Sequence, residues 1–203
     1  MFYGKLLHHP DLDDSRQVNY ARSVTTDYRT RLRTDMEHLR NWTQDWGIEQ
    51  PANLRGFTFG DLPAGGEPAA EINIPYVART GTQVRYLYSS NTGSYLRFMG
   101  DTPHLDANTG QQAGVENVIV QYVHHEVTDM VEDSLGSKGF RMNLFGSGEA
   151  TLFRDGVAFS GTWRSDTQGD TPRFFDQSGS EIPLKPGHTW ISVVPEGYEK
   201  VTW

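Results

Sequence analysis

The sequence predicts a mainly β fold, an antiparallel barrel or sandwich with one N-terminal amphipathic helix, so that the chain is α+β overall. Three observations predict this class. From about residue 72 onward, short segments rich in β-branched and aromatic residues recur at intervals of about 8–12 residues. Glycine-containing turns separate these segments, and no helical pattern lies between them. A helical period occurs once, over residues 34–46.

The helix at 34–46 is the first element in the chain that the pattern defines. Thr34 and Glu37 have the spacing of a capping box, in which each side chain satisfies a backbone N–H at the helix start. Gly47 follows as the residue that ends the helix. Four apolar residues fall on one broad face, which indicates packing in a core: Met36, Leu39, Trp42 and Trp46.

The remaining pattern divides the chain into two parts. Residues 1–60 read as an irregular N-terminal segment that contains the helix, and residues 60–70, rich in Gly, Pro and Ala, read as a linker. Residues 70–196 read as a β-rich domain. Its predicted strands are 72–74, 84–88, 95–99, 118–123, 140–145, 149–153, 157–163, 174–175 and 190–194.

Three details of the β-rich part are specific enough to test. Residues 118–123 are apolar except for Gln121, which predicts a central strand buried on both faces. Asp155 and Gly156 lie between two strand segments and predict a tight hairpin turn. Trp163 and Trp190 each stand next to a turn at one end of an apolar strand, and we expect both rings to be in the core.

Charge and composition exclude several classes of function. Acidic residues outnumber basic ones by 26 to 18, and the net charge of −8 lies entirely within residues 57–203, so we expect no nucleic-acid partner. The absence of cysteine excludes disulfides, thiolate metal sites and a cysteine nucleophile. No apolar run approaches the roughly 18 residues that span a bilayer. The first ten residues have too short an apolar stretch for a signal peptide, and no lipobox cysteine is present.

Metal and cofactor sites are not predicted. The adjacent residues His124, His125 and Glu126 are the best candidate for metal ligands, but neighbouring side chains on a strand point to opposite faces. At most one histidine and one further group could therefore converge. The sequence predicts no metal, no cofactor and no complete nucleophile motif.

One set of polar residues suggests a site: Arg97, His104, Asp106 and Asn117. A guanidinium, an imidazole, a carboxylate and an amide could gather around the loop that follows residue 100. A histidine oriented by Asp106 beside an anion-binding Arg97 would suit general acid–base work or the binding of a polar ligand. The structural alternative is that Asp106 caps a turn, His104 packs and Arg97 forms a surface ion pair.

At these residues the sequence resembles the YerB-type bacterial lipoproteins, a family of unknown function. The resemblance covers residues 72–195, in order, and is similar to the C-terminal domain of that family. It rests on the following segments: Tyr86-Leu-Tyr88, Gly93-Ser-Tyr95-Leu-Arg97, Pro103-His-Leu-Asp106, Thr109-Gly110, Asn117-Val-Ile-Val120, Gly146-Ser-Gly148-Glu-Ala150, Phe153-Arg-Asp-Gly156, Gly161-Thr-Trp163, Gly179, Leu184, Pro186-Gly187 and Thr189-Trp190-Ile191.

The resemblance implies an extracytoplasmic, membrane-anchored protein with no established activity. Family members usually carry a lipoprotein signal and an α/β N-terminal domain, which this sequence does not show. Three hypotheses for function stay open. The first is a noncatalytic module that binds a polar small molecule or an envelope component. The second is an envelope hydrolase or transferase that uses His104 and Asp106 with Arg97. The third is a purely structural domain.

Overall fold

A computed structural model describes residues 22–23, 32–51, 55–76, 83–166, 170–198 and 200–203 of the chain. These residues form two compact units, one within residues 1–53 and the other within residues 54–203. In the first unit, strand β1 (Arg22–Ser23) pairs antiparallel with β2 (Leu32–Arg33), and helix α1 (Met36–Asp45) follows. The irregular reading of residues 1–21 and 24–31 lies outside the described residues.

Helix α1 begins with a different cap from the one that the sequence indicates. Asp35 is the N-cap, because its Oδ1 accepts the backbone N–H of His38 at 2.9 Å. The capping box of Thr34 and Glu37 is therefore wrong, since a carboxylate one residue later binds the free N–H group. Glu37 instead lies in the first turn, where its negative charge interacts favourably with the positive end of the helix dipole. No residue of α1 is buried, so its apolar face does not form the core that we expected.

The second unit is built on two sheets and confirms the mainly β prediction. Five strands form the smaller sheet: β4 (Glu71–Pro75), β5 (Gln83–Ser89), β6 (Ser94–Met99), β7 (Thr102–Pro103) and β8 (Gly114–Val115). Six strands form the larger one: β3 (Glu67–Pro68), β9 (Asn117–Val123), β12 (Gly146–Arg154), β13 (Val157–Ser165), β14 (Arg173–Asp176) and β15 (Thr189–Pro195). The sheets are not closed, which excludes a barrel.

A hairpin with its own pairing completes the unit. Strands β10 (His125–Val131) and β11 (Lys138–Met142) pair antiparallel with each other, separately from both sheets. The sequence predicts β11 in part but misses β10, because β10 carries charged residues on its exposed face and shows no clean alternation. Across the described part of the chain, no helix is long and apolar enough to cross a membrane.

The smaller sheet and the larger sheet face each other across one hydrophobic core. The smaller sheet contributes five buried side chains: Ile72, Ile74, Val84, Tyr86 and Tyr95. The larger sheet contributes Val118, Val120, Phe153, Ala158 and Val194 from the opposite side. The architecture is therefore a sandwich, in which alternate residues of each strand point inward.

Strand β9 is the central strand that its apolar run predicts. It pairs with β12 on one side and with β15 on the other, so neither of its edges is free. Val118 and Val120 enter the core between the sheets, while Ile119 and Val123 enter a second core on the far face. The pairing with β15 is parallel, whereas the other pairings of both sheets are antiparallel. Alternating hydrophobicity carries no information about strand direction, so the sequence could not predict this pairing.

The second unit extends beyond residues 70–196 at both ends. Glu67 and Pro68 pair with β13, and Ala69 is buried, so the stretch read as a linker contributes to the sandwich. At the other end, Thr202 bridges Asn73 at the edge of the smaller sheet. Gly60 and Ala69 are held by backbone hydrogen bonds to Leu184 and Gly156, which leave no side-chain pattern in the sequence.

Two glycines have conformations or contacts that other residues would not tolerate. In the turn between β12 and β13, Asp155 and Gly156 have φ angles of +52° and +76°, which is the backbone of the predicted tight hairpin. Gly161 on β13 pairs with Asp176 of the adjacent strand β14, and a Cβ there would be 1.9 Å from the Phe175 carbonyl oxygen. These two positions fix how β12, β13 and β14 follow one another.

Candidate functional site

Arg97 is a buried cation between the two sheets. It lies on β6 on the same face as Tyr95, directly opposite Tyr86 of β5, and only 7% of its surface is exposed. Its backbone is held by the neighbouring loop, because its N–H donates to the Ala113 carbonyl at 2.8 Å and its carbonyl accepts the His104 N–H at 3.0 Å. Strand alternation therefore directs a guanidinium into the interior of the sandwich.

The contacts of the guanidinium leave part of it without a partner. Its Nη1 donates to Nδ1 of His104, and its Cζ lies 4.3 Å from the centre of the Trp190 ring. Its Nε is buried and has no hydrogen-bond partner among the residues that the structure describes. Within the described residues, no carboxylate forms an ion pair with Arg97. A buried cation thus lacks the counter-charge that burial ordinarily requires.

Tyr86 adds a second unpaired group at the same place. Its side chain is fully buried, and within the described residues its hydroxyl has no hydrogen-bond partner in good geometry, although Arg97 and Ser192 lie close to it. Burial raises the pKa of Tyr86 to about 12, although the nearby Arg97 guanidinium and Ser192 hydroxyl oppose the increase. The hydroxyl is therefore a neutral O–H donor at physiological pH. Two of the four buried side-chain polar atoms without partners in the described residues lie here.

His104 and Trp190 form the more accessible side of this cluster. Both rings are half-buried, and they meet edge to face with centres 6.3 Å apart. The His104 backbone is fixed on both sides, because its carbonyl accepts the Ala113 N–H and its N–H bonds to Arg97. We define the Arg97 site by five residues: Tyr86, Arg97, His104, Trp190 and Ser192.

Asp106 is not part of the Arg97 site. Its Oδ1 accepts the backbone N–H groups of Asn108 and Thr109 and the Thr109 hydroxyl, at 2.8–3.1 Å. The Thr109 N–H, followed by the Thr109 hydroxyl, lowers the pKa of the Asp106 carboxyl below its ordinary value. In the stretch 83–166, no hydrogen bond or ion pair joins Asp106 to His104. The carboxylate stabilises its own exposed turn and does not orient the imidazole.

Asn117 is buried but binds the backbone of another loop. Its Oδ1 accepts the Lys185 N–H at 2.8 Å, and its Nδ2 donates to the Lys185 carbonyl at 2.8 Å and to the Thr189 hydroxyl at 3.2 Å. The side chain has no exposed surface. Its amide is used to fix the loop before β15, so we leave Asn117 out of the ligand site that we propose below.

Replacement of Asn117 by Ala is expected to lower the free energy of unfolding by about 1–3 kcal/mol, because the Lys185 N–H and carbonyl would be left unpaired in the interior. Chemical denaturation measures the change. Asp106→Ala is the comparison, since its exposed turn should cost less than Asn117→Ala. A loss below about 0.5 kcal/mol at Asn117 would contradict its structural role.

A second buried arginine, which the sequence does not single out, is fully paired. Arg154 on β12 donates to the Asp155 carboxylate at 3.0 Å and to the carbonyls of Gly60 and Pro183 at 3.0 and 2.7 Å. Burial alone would raise the pKa of Asp155, but the Lys185 ammonium and the Arg154 guanidinium outweigh it and lower that pKa. Arg154 is therefore a structural residue, in contrast to Arg97.

An open groove lies on the part of the larger sheet that the smaller sheet does not cover. Its volume is about 600 Å³, and the side chains that line it include Tyr122, Glu149, Thr151, Ser160, Thr162 and Gln177. Among the described residues that line it, none has a buried polar atom without a partner. No group of three His, Asp or Glu residues in the described part of the chain could hold a metal ion.

The sequence found Arg97 and His104 but missed Tyr86, Trp190 and Ser192 as members of the site. Trp190 comes from the larger sheet, so its approach to Arg97 depends on how the sheets pack. Tyr86 meets Arg97 through the register of β5 with β6. The one available signal was that Tyr86 and Trp190 both lie in segments that carry the family resemblance.

Comparisons with known proteins agree with that resemblance. Residues 72–191 match the family described as "Protein of unknown function (DUF3048) C-terminal domain". The chain is 23% identical over 167 residues to the Bacillus subtilis (strain 168) protein named "Putative lipoprotein YerB", a match that covers 80% of this chain and 47% of YerB. It thus spans about half the length of this curated relative.

A solved structure supports the fold. The crystal structure of the YerB protein from Bacillus subtilis superposes with a TM-score of 0.67 at 19% identity, covering 88% of this chain and 57% of the other. The resemblance to the YerB-type proteins is therefore confirmed. Because the family match covers more than half of the chain, the protein belongs to the family of the DUF3048 C-terminal domain, a domain of unknown function.

Proposed function

We propose that this domain is a noncatalytic module that binds a polar ligand in the Arg97 site, on a protein of the cell envelope. The observation that carries the proposal is the pair of buried, unpaired groups, Arg97 Nε and the Tyr86 hydroxyl. Leaving a buried donor unpaired costs about 1–3 kcal/mol, and more when it is charged. Such a cost is typical of a site held ready for a ligand.

The envelope location rests on the relative. The Bacillus subtilis protein is named a lipoprotein, which supports an extracytoplasmic, membrane-anchored setting for this chain. Polar ligands and components of the envelope are then the partners to test. A ligand would enter beside His104 and Trp190, because these are the half-buried members of the site.

The geometry does not favour the hydrolase or transferase hypothesis. That hypothesis needs Asp106 to orient His104, whereas the Asp106 carboxylate binds Asn108 and Thr109. The Nδ1 atom of His104 contacts Arg97 instead. An imidazole that accepts from a guanidinium positions that guanidinium, which suits ligand binding.

The test is a thermal-shift screen of the wild-type chain and Arg97→Met against amino acids, short peptides, envelope glycans and simple anions. A ligand at 100 times its Kd stabilises the folded state by about 2.7 kcal/mol. For a domain of this size, that corresponds to an increase in Tm of roughly 5–10 °C. We expect at least one compound to stabilise the wild type and to have no effect on Arg97→Met.

The matched control is Arg164→Met. Arg164 also stacks on an aromatic ring, with its Cζ 5.3 Å from the centre of Phe175, but it is exposed on β13. This variant should respond to ligand as the wild type does. If no compound shifts the wild type, or if the shift survives in Arg97→Met, the proposal is overturned and the structural hypothesis is favoured.

A further inference from the structure

The free part of the Arg97 guanidinium has a defined shape. Nη1 is used by His104, and one face of the group lies against Trp190. The unpaired Nε–H lies on the opposite edge of the guanidinium, where it points in the same direction as one N–H of Nη2. Two parallel N–H donors on one edge are the arrangement that binds a planar carboxylate through both of its oxygens.

The remaining groups of the site add donors but no charge. The Tyr86 hydroxyl has no hydrogen-bond partner in good geometry within the described residues, and it lies near Arg97 and Ser192. Ser192 is itself 3% exposed. Trp190 supplies an aromatic face. His104 accepts the hydrogen bond from Arg97, which requires a free lone pair on Nδ1. The site thus offers one positive charge together with two or three neutral donors.

This charge selects the ligand. One buried guanidinium neutralises one negative charge, whereas a dianionic phosphate would leave a net negative charge in an environment of low dielectric constant. A neutral amide or sugar would leave the guanidinium without a counter-charge. On the basis of the proposed binding function, we infer that the Arg97 site binds a carboxylate with one negative charge. The Nε–H and one Nη2 N–H of Arg97 donate to its two oxygens, and the Tyr86 hydroxyl is a further donor.

The experiment is an NMR titration of the ¹⁵N-labelled chain with four probes at matched ionic strength: acetate, benzoate, benzamide and inorganic phosphate. The Arg97 Nε–H and Trp190 indole N–H resonances report on the site. We expect saturable shifts of both resonances with benzoate and acetate. Benzamide, which has the shape of benzoate without its charge, should bind at least tenfold more weakly, and phosphate should also bind more weakly than benzoate.

Two variants test the two donors. Arg97→Lys keeps the charge but loses the paired N–H edge, and it should weaken benzoate binding at least tenfold. Tyr86→Phe removes only the hydroxyl and should weaken binding severalfold. Tyr95→Phe is the matched control, because Tyr95 is an equally buried tyrosine of the same sheet whose hydroxyl already donates to the Ala69 carbonyl at 2.9 Å. It should leave the affinity for benzoate unchanged.

The outcomes separate this inference from the function on which it rests. The carboxylate assignment is overturned if phosphate or benzamide binds as tightly as benzoate, or if Arg97→Lys binds benzoate normally. In that case, a ligand of another class that depends on Arg97 would still support the proposed function. If no carboxylate binds but the thermal-shift screen finds an Arg97-dependent compound without a carboxylate, the assignment again fails alone. If neither experiment finds an Arg97-dependent ligand, both proposals fail.

Discussion

Replacement of Arg154 by Met is expected to lower the free energy of unfolding by about 3–5 kcal/mol, the usual cost of removing one partner from a buried ionic network. The guanidinium binds the Asp155 carboxylate and the carbonyls of Gly60 and Pro183. Its loss would leave those carbonyls unpaired and Asp155 with Lys185 as its remaining cationic partner. Urea denaturation at neutral pH measures the change.

Arg97→Met is the matched control for that experiment, because both arginines are more than nine-tenths buried on strands of the same sandwich. Arg97 has no carboxylate partner, so removal of its charge should change the free energy of unfolding by less than about 1 kcal/mol or increase it. Equal losses at the two positions would contradict the distinction between a paired structural arginine and an unpaired ligand-binding one.

Replacement of Trp163 by Ala is expected to cost about 3–5 kcal/mol, the usual range for removal of a buried tryptophan. The ring is 2% exposed in the core on the far face of the larger sheet, which confirms the prediction that it is a core residue. Its Nε1 donates to the Tyr122 carbonyl at 2.8 Å. Gly148 lies opposite, where a Cβ would come within 2.6 Å of the same nitrogen.

Denaturation of Trp163→Phe separates the two contributions at this position. Phe keeps an aromatic ring but leaves the Tyr122 carbonyl unpaired, so its loss should be smaller, about 1–3 kcal/mol. The m-value should not change in either variant if unfolding remains two-state. A loss of less than about 1 kcal/mol in Trp163→Ala would mean that the core on this face does not depend on the ring.

Trp190 differs from Trp163, although both stand beside a turn in the sequence. Trp190 is half-buried, packs against the core between the sheets and carries the Arg97 guanidinium on its face. The pattern of apolar residues predicts that both rings are in the core, and for Trp190 this prediction is wrong, because its ring is half-buried and only packs against the core. The pattern does not distinguish a ring enclosed on all sides from one that forms a wall of a site, because the difference depends on which residue of the other sheet lies above it.

Several features of the fold depend on few neighbouring residues, and the sequence determined them. The apolar run of β9 specified a strand buried on both faces, since every side chain of such a strand must meet a hydrophobic layer. Asp155 and Gly156 specified their turn, because few residues adopt positive φ angles. The helix was specified by its period, although the choice of Asp35 over Thr34 as the cap depended on which of two adjacent acceptors reached the N–H of His38.

The tertiary structure alone decided the site. Asp106 and His104 are two residues apart, yet the carboxylate binds N–H groups of its own turn, which cost little entropy to reach. Asn117 was a candidate for its chemistry, but the packing of the loop before β15 uses its amide fully. Arg97 meets Trp190 because two sheets stack face to face, and sheet stacking leaves no local pattern in the sequence. Local bonds are encoded by adjacent residues, whereas an unpaired buried charge is defined by everything packed around it.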